Sequence, residues 1–185
     1  MSDLQYVFSD DKQHLAEYVY LRKRQAVNVH NVDFYTDDEV EAGKDGDVLI
    51  ISSNGQCVGG VIILFEEHGG GLDVLQKFGG CDIRSQLVEH EFGESVYAQL
   101  KGLSLSPGYG GMDVLRRVFS ILIERALKNN VNVLFAMTPV VNARLYRMCF
   151  KRMGYVDMKM SDALEKIPRG NFDGELDTCV FSLRI

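Results

Sequence analysis

Between Asp113 and Lys128 the chain carries apolar side chains at Val114, Leu115, Val118, Phe119, Ile121, Leu122, Ile123, Ala126 and Leu127. A run of this length at helical spacing predicts a helix that is apolar over most of its surface, and such a helix is stable only when other elements cover it. The flanking sequence supplies the cover. Val96–Ser106 reads as a strand ahead of the helix, and Val131–Met137 as a strand behind it. Pro107-Gly-Tyr-Gly-Gly-Met112 forms the link into the helix, with Asp113 placed to cap it. Asn129-Asn130 suits the left-handed turn that ends one. The alternation of strand and buried helix predicts an α/β chain.

The rest of the chain fits around that centre. Leu4–Phe8 reads as a short strand. Asp10 or Asp11 caps a helix reaching about Ala26, with Leu15, Tyr18, Val19 and Leu21 apolar and Arg22-Lys23-Arg24 at its end. Val27–Asp47 is acidic and reads as a loop with at most one helical turn. Val48–Ser52 and Cys57–Phe65 are strands, and Asn54-Gly55 between them is a strong hairpin signal. Glu66–Ser95 is a long insertion between two strands of a meander, with apolar residues for one or two short helices. After the central unit come a helix from Asn142, a strand at Tyr155–Met160, a Pro/Gly loop at Lys166–Gly174 and a last strand at Glu175–Ile185. A length of 185 residues without repeat or linker predicts a single domain, 1–185.

Composition narrows the classes. A formal charge of −6 argues against broad nucleic-acid binding. No apolar run approaches the roughly 20 residues that span a bilayer, and the N-terminus has no basic start and apolar run of a signal peptide. Cys57, Cys81, Cys149 and Cys179 are scattered, with no metal-ligand spacing, and read as reduced thiols of a cytoplasmic protein.

The glycine-rich turn has two readings. It can cradle a pyrophosphate on free backbone N–H groups at a helix N-terminus, or it can be an ordinary strand-to-helix turn. A dinucleotide fingerprint is disfavoured, because Gly108, Gly110 and Gly111 lack its full spacing and the hairpins upstream do not suit a parallel sheet. Gly102 within a strand signals a bulge or a close backbone approach.

The order strand, Pro107–Met112 loop, apolar helix, strand, then Asn142-Ala-Arg-Leu-Tyr146 and Phe150-Lys-Arg-Met-Gly-Tyr155 resembles the cofactor-binding half of the Gcn5-related N-acetyltransferase (GNAT) superfamily. The resemblance implies a mixed, mostly antiparallel central sheet with flanking helices. It implies acetyl-CoA or acyl-CoA as acyl donor and co-substrate, without a metal. The implied coenzyme site runs along Leu103, Ser104, Leu105, Gly108, Tyr109, Gly110, Gly111, Met112, Asp113 and Val114, with Asn142 and Phe150 from the last helix. A bulge near Gly102 would splay two strands, and the N–H of Leu103 or Ser104 would polarise the thioester carbonyl. Family members often carry a proton-donating tyrosine four residues before the final Gly-aromatic pair. Phe150 stands there, and Tyr146, one turn earlier, is the candidate catalytic acid or else a pocket-lining residue.

The Leu21–Arg24 helix end, the acidic segment ending in Asp45 and Asp47, and the insertion are similar to the branch of autoinducer synthases and N-acyl amino acid synthases. Gln99 and Gly102 stand where autoinducer synthases have an acid and an arginine, so homoserine-lactone synthesis is not carried over. Glu41, Asp45, His90 and Glu91 are candidates for the general base, while His14, His30 and His68 read as exposed. Arg144, Arg147, Lys151 and Arg152, with Arg116, Arg117, Arg125 and Lys128, could meet an acyl carrier protein or the coenzyme's 3′-phosphate, or be solvated helix faces. The expected function is N-acyl transfer from a coenzyme A or carrier-protein thioester to a small-molecule amine. The alternative is a non-catalytic coenzyme A- or protein-binding module. A homodimer is a further expectation; nucleic acid and membrane insertion are not.

Overall fold

Asp11 starts the first helix. In the computed structural model, which describes residues 3–30, 46–65, 96–161 and 178–185, α1 spans Lys12–His30. The Asp11 carboxylate accepts the backbone N–H of Gln13 at 2.9 Å and of His14 at 3.1 Å, the arrangement of an N-cap. The His14 amide, then the Gln13 amide, draws the Asp11 pKa below its ordinary value. The helix runs past the expected stop near Ala26, because Gln25–His30 holds neither glycine nor proline. Val27–His30 is therefore a last helical turn continuous with α1, and Arg22 lies well inside the helix.

Seven strands follow the order β1-β2-β3-β4-β5-β7-β6. They are β1 (Leu4–Phe8), β2 (Asp47–Ser53), β3 (Gln56–Phe65), β4 (Tyr97–Leu105), β5 (Val133–Pro139), β6 (Met158–Ser161) and β7 (Thr178–Arg184). The pairings β1–β2, β2–β3, β5–β7 and β6–β7 are antiparallel and β4–β5 is parallel. With α2 (Met112–Lys128) and α3 (Val140–Arg152), this is the mixed, mostly antiparallel α/β fold expected. Residues 31–45, 66–95 and 162–177, on which the acidic segment, the insertion and the Pro/Gly loop read from the sequence fall, lie outside the described residues.

Internal contacts divide the chain into two compact units. One takes Met1–Leu64 and Lys101–Gly111 among its segments. Its β2–β3 hairpin turns on Asn54 (φ 49°) and Gly55 (φ 76°), the pair of left-handed residues of a type I′ turn. α1 closes this unit by burying Tyr18 among Val48, Ile50 and Ile62.

The other unit takes Phe65–Leu100, Met112–Pro168 and Leu176–Ile185. Leu115, Val118, Phe119, Leu122, Ile123 and Ala126 form the inner face of α2. Its outer face is solvated at Arg116, Arg117, Glu124 and Lys128, and Leu127 is 50% exposed. The helix is thus one-sided rather than covered all round. Both helices end on Schellman caps. In α2, Val131 N–H donates to Ala126 C=O and Asn130 N–H to Leu127 C=O, with Asn130 at φ 58°. In α3, Tyr155 N–H donates to Phe150 C=O and Gly154 N–H to Lys151 C=O, with Gly154 at φ 91°. The Gly154-Tyr155 pair read from the sequence is therefore the physical end of α3, and the left-handed turn favours glycine there.

Candidate functional site

β4 changes character at its middle. Tyr97, Ala98, Gln99 and Leu100 are buried, and they are the residues that pair with Val133–Ala136. Lys101–Leu105 are half-buried. The change comes at Gly102, whose φ of 68° bends the strand. A Cβ built on Gly102 would land on the Arg22 guanidinium, whose Nη2 would lie 2.8 Å from it. Gly102 thus bends β4 and leaves room for a close approach, and the approaching group is a side chain rather than backbone.

α1 holds this part of β4 from one helix face. The Tyr18 hydroxyl donates to the Gly102 carbonyl at 2.6 Å, and Gln25 Nε2 donates to the Leu105 carbonyl. Arg22 lies between them, 4% exposed, with Cζ 5.6 Å from the centre of the Tyr18 ring, close enough for a cation–π contact. On the other side, Ser106 N–H donates to Val58 C=O at 2.7 Å. Strand alternation then turns the Ser104 amide toward β3 and the Leu103 amide away from it. Of the two N–H groups named from the sequence, Leu103 has the orientation of an edge donor.

Next comes the glycine-rich turn. Tyr109 N–H donates to Ser106 C=O at 3.0 Å, and Gly108 has φ 88°. With Pro107 before that glycine, this is a type II turn. Gly111 has φ 133°. Gly110 has no left-handed φ, and a Cβ added to it meets no described atom within 4 Å. Neither conformation nor packing against described residues asks for glycine at that position. α2 begins at Met112, so Asp113 sits inside the first turn instead of capping it. There its carboxylate complements the helix dipole and makes an exposed ion pair with Arg116 at 3.8 Å. Tyr109, Met112 and Val114 are half-buried.

α3 carries the remaining candidates on its inner side. Asn142 is half-buried in the first turn. Tyr146 packs edge-on against Phe119, with ring centroids 5.2 Å apart, and meets Phe181 at 6.1 Å. Burial pushes its phenol up to about 12, against a smaller lowering by a hydrogen bond with Thr138. Phe150 is fully buried, 4.4 Å from Phe119 and 6.0 Å from Phe181. It fills the core of this unit and presents no exposed ring surface. Cys149 is buried too, and burial raises its thiol pKa against the lowering charges of Arg116 and Arg152. Arg144, Arg147, Lys151 and Arg152 are all exposed, together with Val141 (69%) and Met148 (53%).

Leu103–Leu105 and the turn are thus consecutive in space as in sequence, and Asn142, Tyr146 and Phe150 share one helix. Glu41, Asp45, His68, His90 and Glu91 lie outside the described residues. His14 is exposed and bonded to Ser9 Oγ at 3.1 Å. Sequence reasoning missed Tyr18, Arg22 and Gln25, taking the first as core and the second as a helix end. Their spacing of four and three residues on one helix face was the available signal.

No protein-family model matches the chain, and no curated protein does. Solved structures do. FeeM, an N-acyl amino acid synthase from uncultured soil microbes, aligns with a TM-score of 0.70 at 9% identity, over 100% of this chain and 92% of that one. The AHL synthase LasI aligns with a TM-score of 0.66 at 16% identity, over 100% and 91%. YncA, a putative acetyltransferase from Salmonella typhimurium solved with its cofactor acetyl-CoA, gives 0.59 at 17% identity, over 98% and 93%. The chain has the GNAT fold, and its structural neighbours include an N-acyl amino acid synthase and an AHL synthase.

Proposed function

We propose that this chain is an N-acyltransferase, moving an acyl group from a thioester to a small-molecule amine. The observation that carries the reading is the run from Lys101 to Met112. It joins a strand bent at Gly102, a type II turn, an unforced glycine and a helix N-terminus, in the fold of an N-acyl amino acid synthase. Backbone N–H groups at Gly110–Val114 suit the pyrophosphate of coenzyme A, and Gly110 leaves clearance for it. Leu103 N–H is the donor to the thioester carbonyl.

The amine nitrogen attacks the carbonyl carbon, negative charge gathers on the carbonyl oxygen, and Leu103 N–H stabilises it. Collapse breaks the C–S bond, and the sulfur leaves as a thiolate. Tyr146, the acid named from the sequence, has a phenol pKa of about 12, against about 8.5 for an ordinary thiol, so it stays protonated and full proton transfer from it is uphill. The amine's proton passes to a base among Glu41, Asp45, His90 and Glu91, or to water.

The donor is an acyl-CoA or an acyl carrier protein. The exposed bases of α3, on a chain of net charge −6, suit the coenzyme's 3′-phosphate or an acidic carrier. The free thiols of Cys57, Cys149 and Cys179 fit a cytoplasmic setting.

Titration calorimetry with coenzyme A, acetyl-CoA, long-chain acyl-CoA and an acylated carrier protein, paired with a thiol-release assay over a panel of amines, tests the reading. Binding with amine-dependent thiol release is the expected result. Binding without release favours the non-catalytic module, a reading that Phe150 at the usual tyrosine position also supports. Neither binding nor release overturns both.

A further inference from the structure

We infer that Tyr18 is a positioning residue for the carbonyl-polarising amide, with Arg22 reinforcing it; the inference rests on the function proposed above. The Gly102 carbonyl and the Leu103 N–H belong to one peptide group. No peptide bond in the described chain is cis, so the two point in opposite directions. Tyr18 O–H donates to that carbonyl at 2.6 Å, which fixes the plane and directs the Leu103 N–H away from α1. Gly102, with φ 68° and no side chain, would otherwise let this peptide rotate more freely than any other in the strand.

The same bond strengthens the donor. A carbonyl that accepts a hydrogen bond draws electron density from its amide nitrogen, so the N–H at the other end becomes a better donor. The site is dry enough for this to count, since Tyr18 is 1% exposed and Arg22 4%. The Arg22 guanidinium lies against the Gly102 Cα. A fixed positive charge beside this peptide lowers the energy of negative charge developing at its N–H. The next contact supports the direction of pull. Gln25 holds the Leu105 carbonyl while the opposite end of that peptide, Ser106 N–H, donates to Val58. Two peptides of the segment are thus oriented from α1 by their carbonyls. One N–H goes to β3, and the other is presented at the edge away from β3.

Tyr18→Phe removes the hydroxyl and keeps the ring, so it isolates the effect. The expected result is a kcat about tenfold lower with KM for the thioester and affinity for coenzyme A unchanged, below the 10²–10³ seen when a donor is deleted outright. A carbonyl-¹³C acetyl-CoA bound without amine should show a C=O stretch below that of the free thioester, and Tyr18→Phe should move it back toward the free value. Arg22→Met should do likewise, and Arg22→Lys, which keeps the charge, should recover part of the shift. This second pair serves if Tyr18→Phe does not fold. A folded Tyr18→Phe with parental kcat and parental stretch overturns the inference, as does a parent that binds the thioester without shifting its carbonyl. A parent that binds no thioester overturns the proposed function, and the inference with it.

Discussion

Phe150→Tyr places one hydroxyl where the core decides its effect. The ring is fully buried and lies between Phe119 at 4.4 Å and Phe181 at 6.0 Å. A hydroxyl buried there without a partner costs about 1–3 kcal/mol. Forcing one more heavy atom into a packed aromatic cluster costs about 1–3 kcal/mol again. The sum is about 2 kcal/mol at the least. For a chain of this size each kcal/mol lowers Tm by about 2–4 °C, so the variant should melt about 4 °C or more below the parent. Scanning calorimetry gives the shift, and thiol release from acetyl-CoA gives the functional side. A variant melting with the parent would refute the reasoning, because the hydroxyl would then have found a partner. In that event the position opens on a polar space, and thiol release should rise, as expected if the hydroxyl reaches the leaving sulfur.

Gly110→Val should keep the parental Tm to within about 2 °C, since surface changes without a special backbone role stay near 0.5 kcal/mol, and should weaken coenzyme A binding by about tenfold or more in calorimetry; parental affinity would remove the turn from the site. Tyr146→Phe should slow thiol release about tenfold at every pH from 7 to 10 without changing the profile's shape, because the phenol, raised to about 12, does not titrate there; an unchanged rate would take Tyr146 out of the mechanism. Asp11→Ala should lower stability at pH 7. The folded pKa lies below the ordinary 3.8, so the capping contribution is present above that value and fades as pH falls through the lowered one. The gap in Tm between parent and variant should therefore narrow below about pH 4, and a gap constant from pH 7 to pH 2.5 would contradict it.

Local signals were the legible ones. Asn54-Gly55 encodes its own turn, Asp11 its own cap, and Asn130 the end of its helix, because each depends on residues a few positions away. The strand order around the central helix was legible through the resemblance and the alternation of patterns. Three things were not. The end of α1 depends on the absence of a breaker, which is weak information. The role of Arg22 depends on β4, 80 residues on at Gly102, and no pattern within the helix announces a buried guanidinium. The exposed side of α2 was hidden by counting its apolar residues rather than projecting Arg116, Arg117, Glu124 and Lys128 onto a wheel. The candidate site divides in the same way. The glycines could be read in sequence, whereas the direction of the Leu103 N–H follows from bonds made by α1 and β3.

β7 lies between β5 and β6 and is antiparallel to both, yet it is the last strand of the described chain. From Pro139 to Thr178 a ribosome must add roughly 40 residues, which takes about 2–8 s at ordinary rates of synthesis. Through that interval β5 has Tyr97–Leu100 available on one side and no partner for the other, and β6 has none of its described partners. The apolar Val133-Leu-Phe-Ala-Met137 segment is then an open edge of the kind that pairs with neighbouring chains. The β2–β3 hairpin carries no such delay, since its partners emerge within one turn of each other. Crowded polysomes and cold, slow translation are accordingly the conditions in which this edge stays open longest and is most exposed to pairing with a neighbouring chain.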